Sequence, residues 1–255
     1  MIDQQHLTPA LKQLRLSGIL DTLEVRSQQA IQEQWTYAEF LGRLIQDEVE
    51  RRRHKQLGLV LRRGNVSTTK TLEAFDFAFN PSVNRQQVLD LATSSYVRLH
   101  RNVLIVGQTG TGKTHLAHAL AHEAARRGFD VLFTTAHQLL HHINAGRADG
   151  SYQQRLTSYL RPDLLVIDDF GLKPLPPSGP VDFYDVINER YEKGSILLTS
   201  NRSPAEWHDL FGDPLLASAG LDRLGHGAVV LTITGRSYRL AHHQDPQEAT
   251  PSPRP

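Results

Sequence analysis

The sequence predicts an α/β fold in which a parallel five-stranded sheet is flanked by helices and preceded by a small helical domain. Beyond residue 84, short apolar runs bounded by turn signals alternate with stretches of helical pattern. Before residue 66, apolar residues instead recur at helical intervals. Strands that alternate with helices are typical of a parallel sheet covered on both faces. A chain of 255 residues accommodates one full domain and one accessory domain.

The composition is that of a globular protein, with 39% hydrophobic residues, 22% charged residues and a net charge of +1. No run of eighteen apolar residues occurs, and the first residues lack the apolar core of a secretion signal. We therefore expect a soluble, cytoplasmic protein with no membrane contact. The absence of cysteine excludes disulfides and thiolate metal sites, and it agrees with a reducing compartment.

Residues 1–66 form the predicted helical domain, with about three helices. Thr36 and Glu39 have the spacing of a capping box, which predicts the start of a helix over residues 40–53. The second predicted domain spans residues 67–240. The tail 241–255 is rich in proline and polar residues, and we expect it to be disordered.

Residues 67–84 are the predicted linker into the second domain. Three phenylalanines alternate within it, at Phe75, Phe77 and Phe79. An Asn-Pro pair then marks its end. Beyond the linker, five apolar segments are the predicted strands of the sheet, at residues 102–106, 131–135, 164–168, 196–200 and 229–233.

A glycine-rich turn connects the first predicted strand to the next helix. It fits the pattern G-x-x-x-x-G-K-[ST] with Gly107, Gln108, Thr109, Gly110, Thr111, Gly112, Lys113 and Thr114. Glycines allow successive backbone N–H groups to point inward, and the helix N-terminus adds positive potential, so the turn forms an anion nest. Lys113 can then reach the β- and γ-phosphates, while the Thr114 hydroxyl ligates Mg²⁺. The turn therefore predicts a nucleoside triphosphate site, against the alternative of a plain tight turn.

Two aspartates follow the apolar run 164–167, in the segment LLVIDDFG. Asp168 is the expected aspartate on the Mg²⁺ side, next to Thr114. Asp169 stands where many such ATPases carry the glutamate that orients or deprotonates the attacking water. Because aspartate is one methylene shorter, turnover is expected to be slow or to need a neighbouring group. The alternative is that the pair only caps the following turn.

The segment SILLTSN, residues 195–201, is an apolar strand that ends in polar Thr199, Ser200 and Asn201, of which Asn201 is the candidate site residue. Ligands of open parallel sheets gather at the carboxyl ends of the strands, so this amide is expected to face the γ-phosphate and hold the attacking water. The alternative is an ordinary turn that ends the strand, made with Arg202, Ser203 and Pro204.

Together with GLDRL (residues 220–224) and GRSYRL (residues 235–240), these motifs resemble the AAA+ ATPases of the group that contains DnaC-type helicase loaders. The P-loop, the acidic strand end and the polar strand end occur in the order found in that group. The phenylalanine-rich linker and the helical domain more closely resemble the IstB family, the ATP-binding helpers of insertion-sequence transposition. The resemblance covers residues 5–240.

The resemblance implies that Arg223 is an arginine finger offered to the nucleotide of the adjacent subunit, rather than a partner of Asp222 in a surface ion pair. It places Arg239, or Arg236 in its stead, at the second sensor position against the γ-phosphate. AAA+ proteins usually carry that arginine on a helical lid domain, for which too few residues follow. The resemblance therefore implies a P-loop NTPase fold of AAA+ type with no full lid domain.

The resemblance also implies ATP as the ligand and places Phe75 to Asn84 beside the adenine, with Phe77 as the candidate ring. A core-packing role for these phenylalanines is at least an equal alternative. His115, the residue after Thr114, belongs to the implied nucleotide-binding residues. His115 shares one helix face with His118 and His122. For this face we expect helix packing rather than a metal site, because no cysteine or convergent carboxylate completes a ligand set.

Basic residues cluster near the end of the predicted helical domain. The candidate DNA contacts are Arg51, Arg52, Arg53, Lys55, Arg62 and Arg63. Such a cluster gives salt-dependent affinity for phosphates without sequence preference, and the resemblance implies binding of duplex DNA. The alternative is a solvated helix face.

The principal functional hypothesis is an ATP-dependent AAA+ regulator that assembles into a ring or helical filament on duplex DNA. By resemblance, it remodels target DNA and activates a partner transposase in insertion-sequence transposition. The rival hypothesis is a DnaC-like adaptor that binds a replicative helicase under the control of ATP. A third possibility is a nucleotide-binding scaffold that never hydrolyses its ligand.

Overall fold

The computed structural model describes the backbone of residues 4–242 and the side chains of residues 7–241. The chain divides into two compact units, Met1–Leu59 and Val60–Pro255. The predicted disorder of the tail concerns residues that lie almost wholly outside the described part. None of the helices described is long and apolar enough to cross a bilayer.

The first unit is helical, with α1 at Gln4–Gln13, α2 at Ser17–Gln32, and α3, which begins at Tyr37 and ends at Arg63 in the second unit. The capping box is present, since Glu39 Oε2 accepts from the Thr36 N–H at 2.8 Å and the Thr36 hydroxyl accepts from the Glu39 N–H at 3.3 Å. At 27 residues, α3 runs ten residues beyond the predicted end at residue 53. Helix-forming Lys, Gln, Leu and Arg residues follow that point, and Gly58 alone does not end a helix.

The second unit contains five parallel strands in the order β2-β3-β4-β1-β5. They are β1 Val103–Gly107, β2 Val131–Thr135, β3 Leu164–Phe170, β4 Ser195–Ser200 and β5 Val229–Ile233. The predicted parallel five-stranded sheet is therefore confirmed. The strands form because they are nearly continuous apolar runs, which suits a sheet buried on both faces.

Helices cover both faces of this sheet. In chain order they are α4 Arg85–Ala92, α5 Ser95–Arg98, α6 Lys113–Arg126, α7 Ala136–Asp149, α8 Tyr152–Leu160, α9 Gly179–Arg190, α10 His208–Phe211, α11 Pro214–Gly225 and α12 Tyr238–His242. Helix α6 packs against β1 to β4, and α7, α8, α9 and α11 share one apolar core with the sheet. This arrangement leaves the carboxyl ends of the strands open to a ligand.

Strand β3 carries a bulge where the two aspartates lie. Ile167 pairs with Leu198 and Phe170 pairs with Ser200, so two residues of β3 stand opposite the single residue Thr199. Asp169 adopts a left-handed backbone conformation with φ of 57°. A bulge re-aims side chains at the end of a strand. Here it allows two successive carboxylates to contribute to one site.

Segments that precede β1 cover part of both edges of the sheet. On the β2 side, the Phe133 N–H donates to the Gly64 carbonyl at 2.7 Å. On the β5 side, the Ser82 hydroxyl accepts from the Thr234 N–H at 3.1 Å. The same hydroxyl also contacts the Thr234 carbonyl. Strand β2 and the residue that follows β5 therefore find hydrogen-bond partners beyond the five-stranded ladder.

Candidate nucleotide-binding site

A cavity of about 390 Å³ lies at the carboxyl edge of the sheet, which is the size range of small-molecule sites. Three segments of the chain surround it: the glycine loop after β1, the linker before α4, and α12. The lining includes six residues of the loop and helix start, Thr109, Gly110, Thr111, Gly112, Lys113 and Thr114. Two further predicted site residues, Asp169 and Asn201, face the same cavity from the ends of β3 and β4.

The glycines of the loop are required by geometry. Gly110 and Gly112 have φ of 83° and 99°, in the left-handed region that favours glycine. A Cβ atom at Gly112 would come within 2.9 Å of the Phe75 ring. Gly107 and Gln108 do not line the cavity. Gly107 allows close approach to the Ile233 carbonyl, and Gln108 shapes the loop through its own carbonyl.

Lys113 lies across this loop. Its ammonium donates to the Gln108 carbonyl at 2.7 Å, and the side chain is buried. Burial lowers the pKa of Lys113, whereas the charges of Asp169 and Asp168 act in the opposite direction. A buried ammonium beside this loop is suited to bind phosphate oxygens, which are strong acceptors.

The Thr114 hydroxyl lies 3.1 and 3.0 Å from the two carboxylate oxygens of Asp168. Asp168 is only 4% exposed, at the end of β3. Hydroxyl and carboxylate oxygens are hard donors of the kind that Mg²⁺ prefers, and Mg²⁺ sites commonly combine one or two carboxylates with substrate phosphates. The donor set therefore fits Mg²⁺ beside a bound triphosphate.

Asp169 differs from Asp168 in environment. Burial raises the pKa of Asp169, and the neighbouring charge of Asp168 raises it further, against the opposing effects of Lys113 and Arg239. A carboxylate with a raised pKa that faces a ligand cavity has the character of a general base. Asn201 lies on the rim of the same cavity, where it is exposed.

The sequence reasoning missed Thr199. This residue is fully buried on β4, and its hydroxyl contacts Asp168 Oδ1 and accepts from the Asp169 N–H at 3.1 Å. The available signal was a hydroxyl residue within an apolar strand, two residues before Asn201. Asn201 was predicted instead because it is the last polar residue at the strand end.

The linker contributes Phe75 and Phe79 to the cavity, not Phe77. Asp76 Oδ1 accepts from the Ala78 and Phe79 N–H groups at 2.9 and 3.1 Å, which makes a turn rather than an extended segment. Because of this turn, Phe77 lies behind Phe75, edge to face at 4.8 Å, and 5.6 Å from the Arg85 guanidinium. Alternation in the sequence therefore did not reveal which rings face the ligand.

Helix α6 brings His115 to the cavity, where its Nε2 lies 2.9 Å from the Thr71 carbonyl. His118 stacks on Phe133 at 3.7 Å, and its Nδ1 accepts from the Ser67 N–H at 3.2 Å. Burial lowers the pKa of His118 to about 4, with smaller contributions from Lys70 and His115. His118 and His122 are both buried, so this helix face packs against the rest of the second unit.

Arg239 lines the cavity from α12. The preceding residue, Tyr238, donates its N–H to the Gly110 carbonyl at 2.9 Å, and its ring meets Phe79 edge to face at 4.9 Å. The five-residue helix α12 thus places Arg239 at the cavity.

Arg223 lies outside this cavity, near the end of α11. It lines a separate recess that borders the amino ends of β1, β4 and β5. Its guanidinium donates to the Ala219 carbonyl at 2.9 Å and lies 5.7 Å from the Tyr184 ring. Among the ion pairs of the described residues, none joins Arg223 to Asp222.

The six basic candidates for DNA contact all lie on α3, but half of them are engaged. Arg52 pairs with Glu48 at 2.6 Å, Arg63 pairs with Asp130 at 2.6 Å, and Arg51 pairs with Asp21. The remaining three are exposed and form no ion pair among the described residues: Arg53, Lys55 and Arg62.

Within the first unit, a cleft gathers five basic side chains around Ser17 and Glu48: Lys12, Arg15, Arg51, Arg52 and Lys55. Sequence reasoning missed Lys12 and Arg15 because they lie far from α3 along the chain. The cleft is nevertheless a concentrated positive surface, since Glu48 is its only acidic lining residue.

The family model described as IstB-like ATP binding protein matches residues 9–246. The chain belongs to the IstB-like family. Relatives of this IstB-like protein include an ATP-binding protein of an insertion sequence of Mycobacterium tuberculosis, 38% identical over 234 residues and covering 91% of this chain and 93% of the relative. The ATP-binding protein of insertion sequence IS21 from Pseudomonas aeruginosa is 36% identical over 230 residues, with coverage of 90% and 87%.

Solved structures share the fold of the IstB-like chain. DnaI aligns with a TM-score of 0.56 at 20% identity, over 64% of this chain and 90% of that one. The replication initiator DnaA bound to AMPPCP and single-stranded DNA aligns with a TM-score of 0.55 at 24% identity, over 72% and 58%. At these identities the likeness concerns the fold alone, and it confirms the predicted AAA+ type of P-loop sheet.

Proposed function

We propose that this protein is a Mg²⁺-dependent ATPase of insertion-sequence transposition that assembles on duplex DNA and activates a partner transposase. The observation that supports it most is the convergence of the glycine loop, Thr114 and Asp169 on one cavity, with the buried Asp168 in contact with Thr114. Family membership supports the transposition context.

In the proposed reaction, the loop amides and Lys113 bind the phosphates, and the ammonium exchanges the Gln108 carbonyl for phosphate oxygens. Thr114 and Asp168 hold Mg²⁺, which when bound offsets the phosphate charge. Asn201 and Asp169 orient a water molecule for attack on the γ-phosphorus. As the bond from this phosphorus to the bridging oxygen of ADP breaks, Asp169 accepts the proton of the water. Arg239 stabilises the charge on the transferred group.

Arg223 is proposed to complete the site of a neighbouring subunit. It lines a recess at the amino ends of the strands, whereas the nucleotide cavity lies at their carboxyl ends. An arginine finger contributes about 10³ to 10⁵ in rate, so hydrolysis would depend on assembly. Head-to-tail contacts of this kind generate rings or helical filaments.

Duplex DNA is proposed to bind the basic cleft of the first unit and the exposed cations of α3. Repeated along an assembly, such contacts would hold a bent duplex through its phosphates without reading bases. Each neutralised phosphate should contribute about −0.9 to the slope of log affinity against log salt. Replacement of Arg53 and Lys55 by alanine should therefore flatten this slope by about 2. The matched control is Lys193→Ala, because Lys193 is an exposed lysine outside α3.

The decisive experiment measures phosphate release at increasing protein concentration, with and without duplex DNA and Mg²⁺. We expect release per subunit to rise with protein concentration and again with duplex, and to need Mg²⁺. If the protein bound a replicative helicase but no duplex DNA, the result would instead support the rival function, a DnaC-like adaptor. Absence of release under every condition would show that the protein is a nucleotide-binding scaffold.

A further inference from the structure

Thr199 is the single residue of β4 that stands opposite both aspartates of the β3 bulge. Its side chain is fully buried, although hydroxyl residues rarely lie within an apolar strand without a partner. The strand neighbours Leu197 and Leu198 are apolar core residues. A hydroxyl at this position therefore calls for an explanation that packing does not give.

The Thr199 hydroxyl makes one interaction with each aspartate. It donates to Asp168 Oδ1. It also accepts from the backbone N–H of Asp169 at 3.1 Å. In a bulge the extra residue is left out of the ladder, so this N–H would otherwise lack a strand partner. The hydroxyl thus donates one hydrogen bond to Asp168 and accepts one from the next residue, Asp169.

The backbone of Asp169 needs such support. A φ of 57° is unfavourable for an aspartate by about 1 kcal/mol or more, and persists only where the surroundings determine it. Asp168 is fixed from two sides, by Thr199 at Oδ1 and by Thr114 at Oδ2, at 3.0 Å. A buried hydroxyl that does not itself line the cavity therefore contacts both the Asp168 carboxylate and the backbone of Asp169.

We propose that Thr199 is a positioning residue that aims Asp168 at the metal position and Asp169 at the attacking water. The assignment rests on the proposed ATPase function. Thr199 touches neither the phosphates nor the water. It acts through the two carboxylates, and its loss should reduce the chemical step and the contribution of Mg²⁺ to nucleotide binding.

The test compares Thr199→Val, which keeps the shape and β-propensity but removes the hydroxyl, with Thr199→Ser, which keeps the hydroxyl. Thr134→Val is the matched control. Thr134 is a buried threonine on β2 of the same sheet, and its hydroxyl contacts only the Thr135 carbonyl, at 3.3 Å. Thr199→Ala is a second variant that removes the hydroxyl should the valine not fold.

Loss of a hydrogen bond to a charged group predicts that kcat falls about 10- to 100-fold in the valine and alanine variants, while the affinity for ATP without Mg²⁺ changes less than about threefold. The serine variant should recover most of kcat, and Thr134→Val should keep it. Midpoints of thermal unfolding show whether each variant folds. A kcat of Thr199→Val within about twofold of the unmodified chain, or an equal loss in Thr199→Ser, would overturn the proposal.

A second readout does not depend on hydrolysis. The affinity for a non-hydrolysable ATP analogue is measured with and without Mg²⁺. The gain in affinity that Mg²⁺ gives the unmodified chain should shrink in Thr199→Val and remain in Thr199→Ser. If the unmodified chain released no phosphate, the ATPase function would fail, yet this comparison would still decide the role of Thr199. An unchanged Mg²⁺ gain in Thr199→Val would refute it.

Discussion

The backbone N–H of Tyr238 donates to the Gly110 carbonyl at 2.9 Å, which attaches α12 directly to the glycine loop. The same contact explains why the loop tolerates no side chain at this position, since a Cβ atom on Gly110 would collide with Ser237. Arg239 is therefore positioned by the loop whose ligand it faces.

Gly110→Ala should abolish nucleotide binding while leaving the chain folded. The substitution introduces both an unfavourable φ and a collision with Ser237. Gly128→Ala is the matched control, because Gly128 has φ of 89° and no neighbouring atom within 4 Å of the added Cβ. Gly128→Ala should lose about 1 kcal/mol in free energy of unfolding, measured with denaturant, and Gly110→Ala should lose more because of the added collision. Equal nucleotide affinity in the two variants would contradict the steric argument.

Asp169→Asn should reduce phosphate release by about 10² to 10⁴ while ATP binding is kept, because an amide cannot accept the proton of the attacking water. Single-turnover kinetics and binding of a fluorescent ATP analogue separate the two quantities. Asp209→Asn, at an exposed position on α10, is the control and should match the unmodified chain. A variant that hydrolyses ATP at the normal rate would remove Asp169 from the mechanism.

Lys113→Ala and Arg223→Ala should each be nearly inactive alone, yet recover activity when mixed. In a mixed assembly, some sites combine an intact loop from one variant with an intact arginine from the other. Random mixing at equal amounts makes about one quarter of the interfaces complete. Phosphate release by the mixture is the measurement. If Arg223 acted within its own chain, the mixture would be no more active than its parts.

Acidification should destabilise the protein through His118. The folded pKa is about 4, below the usual value of about 6.5 in the unfolded chain, so the unfolded state binds more protons between these values. The free energy of unfolding must then fall as the pH falls from 6.5 towards 4. The bond from Ser67 adds to this effect, since protonated histidine has no acceptor nitrogen.

The measurement is denaturant unfolding at pH 7.5 and pH 5. His118→Gln keeps an acceptor for Ser67 but does not titrate. Its free energy of unfolding should therefore fall between pH 7.5 and pH 5 by about 1–2 kcal/mol less than that of the unmodified chain. His141→Gln, at an exposed site on α7, should change as the unmodified chain does. Equal pH dependence of His118→Gln and the unmodified chain would exclude His118 as the source.

The strands and the glycine loop could be predicted from the sequence because both are local patterns. Val103–Gly107 is a continuous apolar run, and the loop residues that follow it have fixed spacing. The orientation of Phe77 could not be predicted, because it depends on the hydrogen bonds that Asp76 makes with the turn. Thr199 could be recognised as a polar residue from the sequence, but its contacts with Asp168 and Asp169 could not be predicted, since they arise from a bulge in the neighbouring strand.

The basic cleft shows a third limit. Lys12 and Arg15 join the α3 cations only because three helices fold together. Conversely, fewer basic side chains are free to bind phosphate than the sequence suggests, because Arg52 and Arg63 are already paired with carboxylates. The clustering of basic residues in the sequence therefore predicted where the positive surface lies better than it predicted which residues form it.

The hydrogen bonds that Gly64 and Ser82 make with the outer strands have a consequence for solution behaviour. Unpaired strand edges recruit strands of other chains, which leads to aggregation. A fragment that began at β1 would retain the glycine loop, both aspartates and Arg239, but would expose the backbone of Phe133 and Thr234. Such a truncation should precipitate rather than behave as a minimal ATPase.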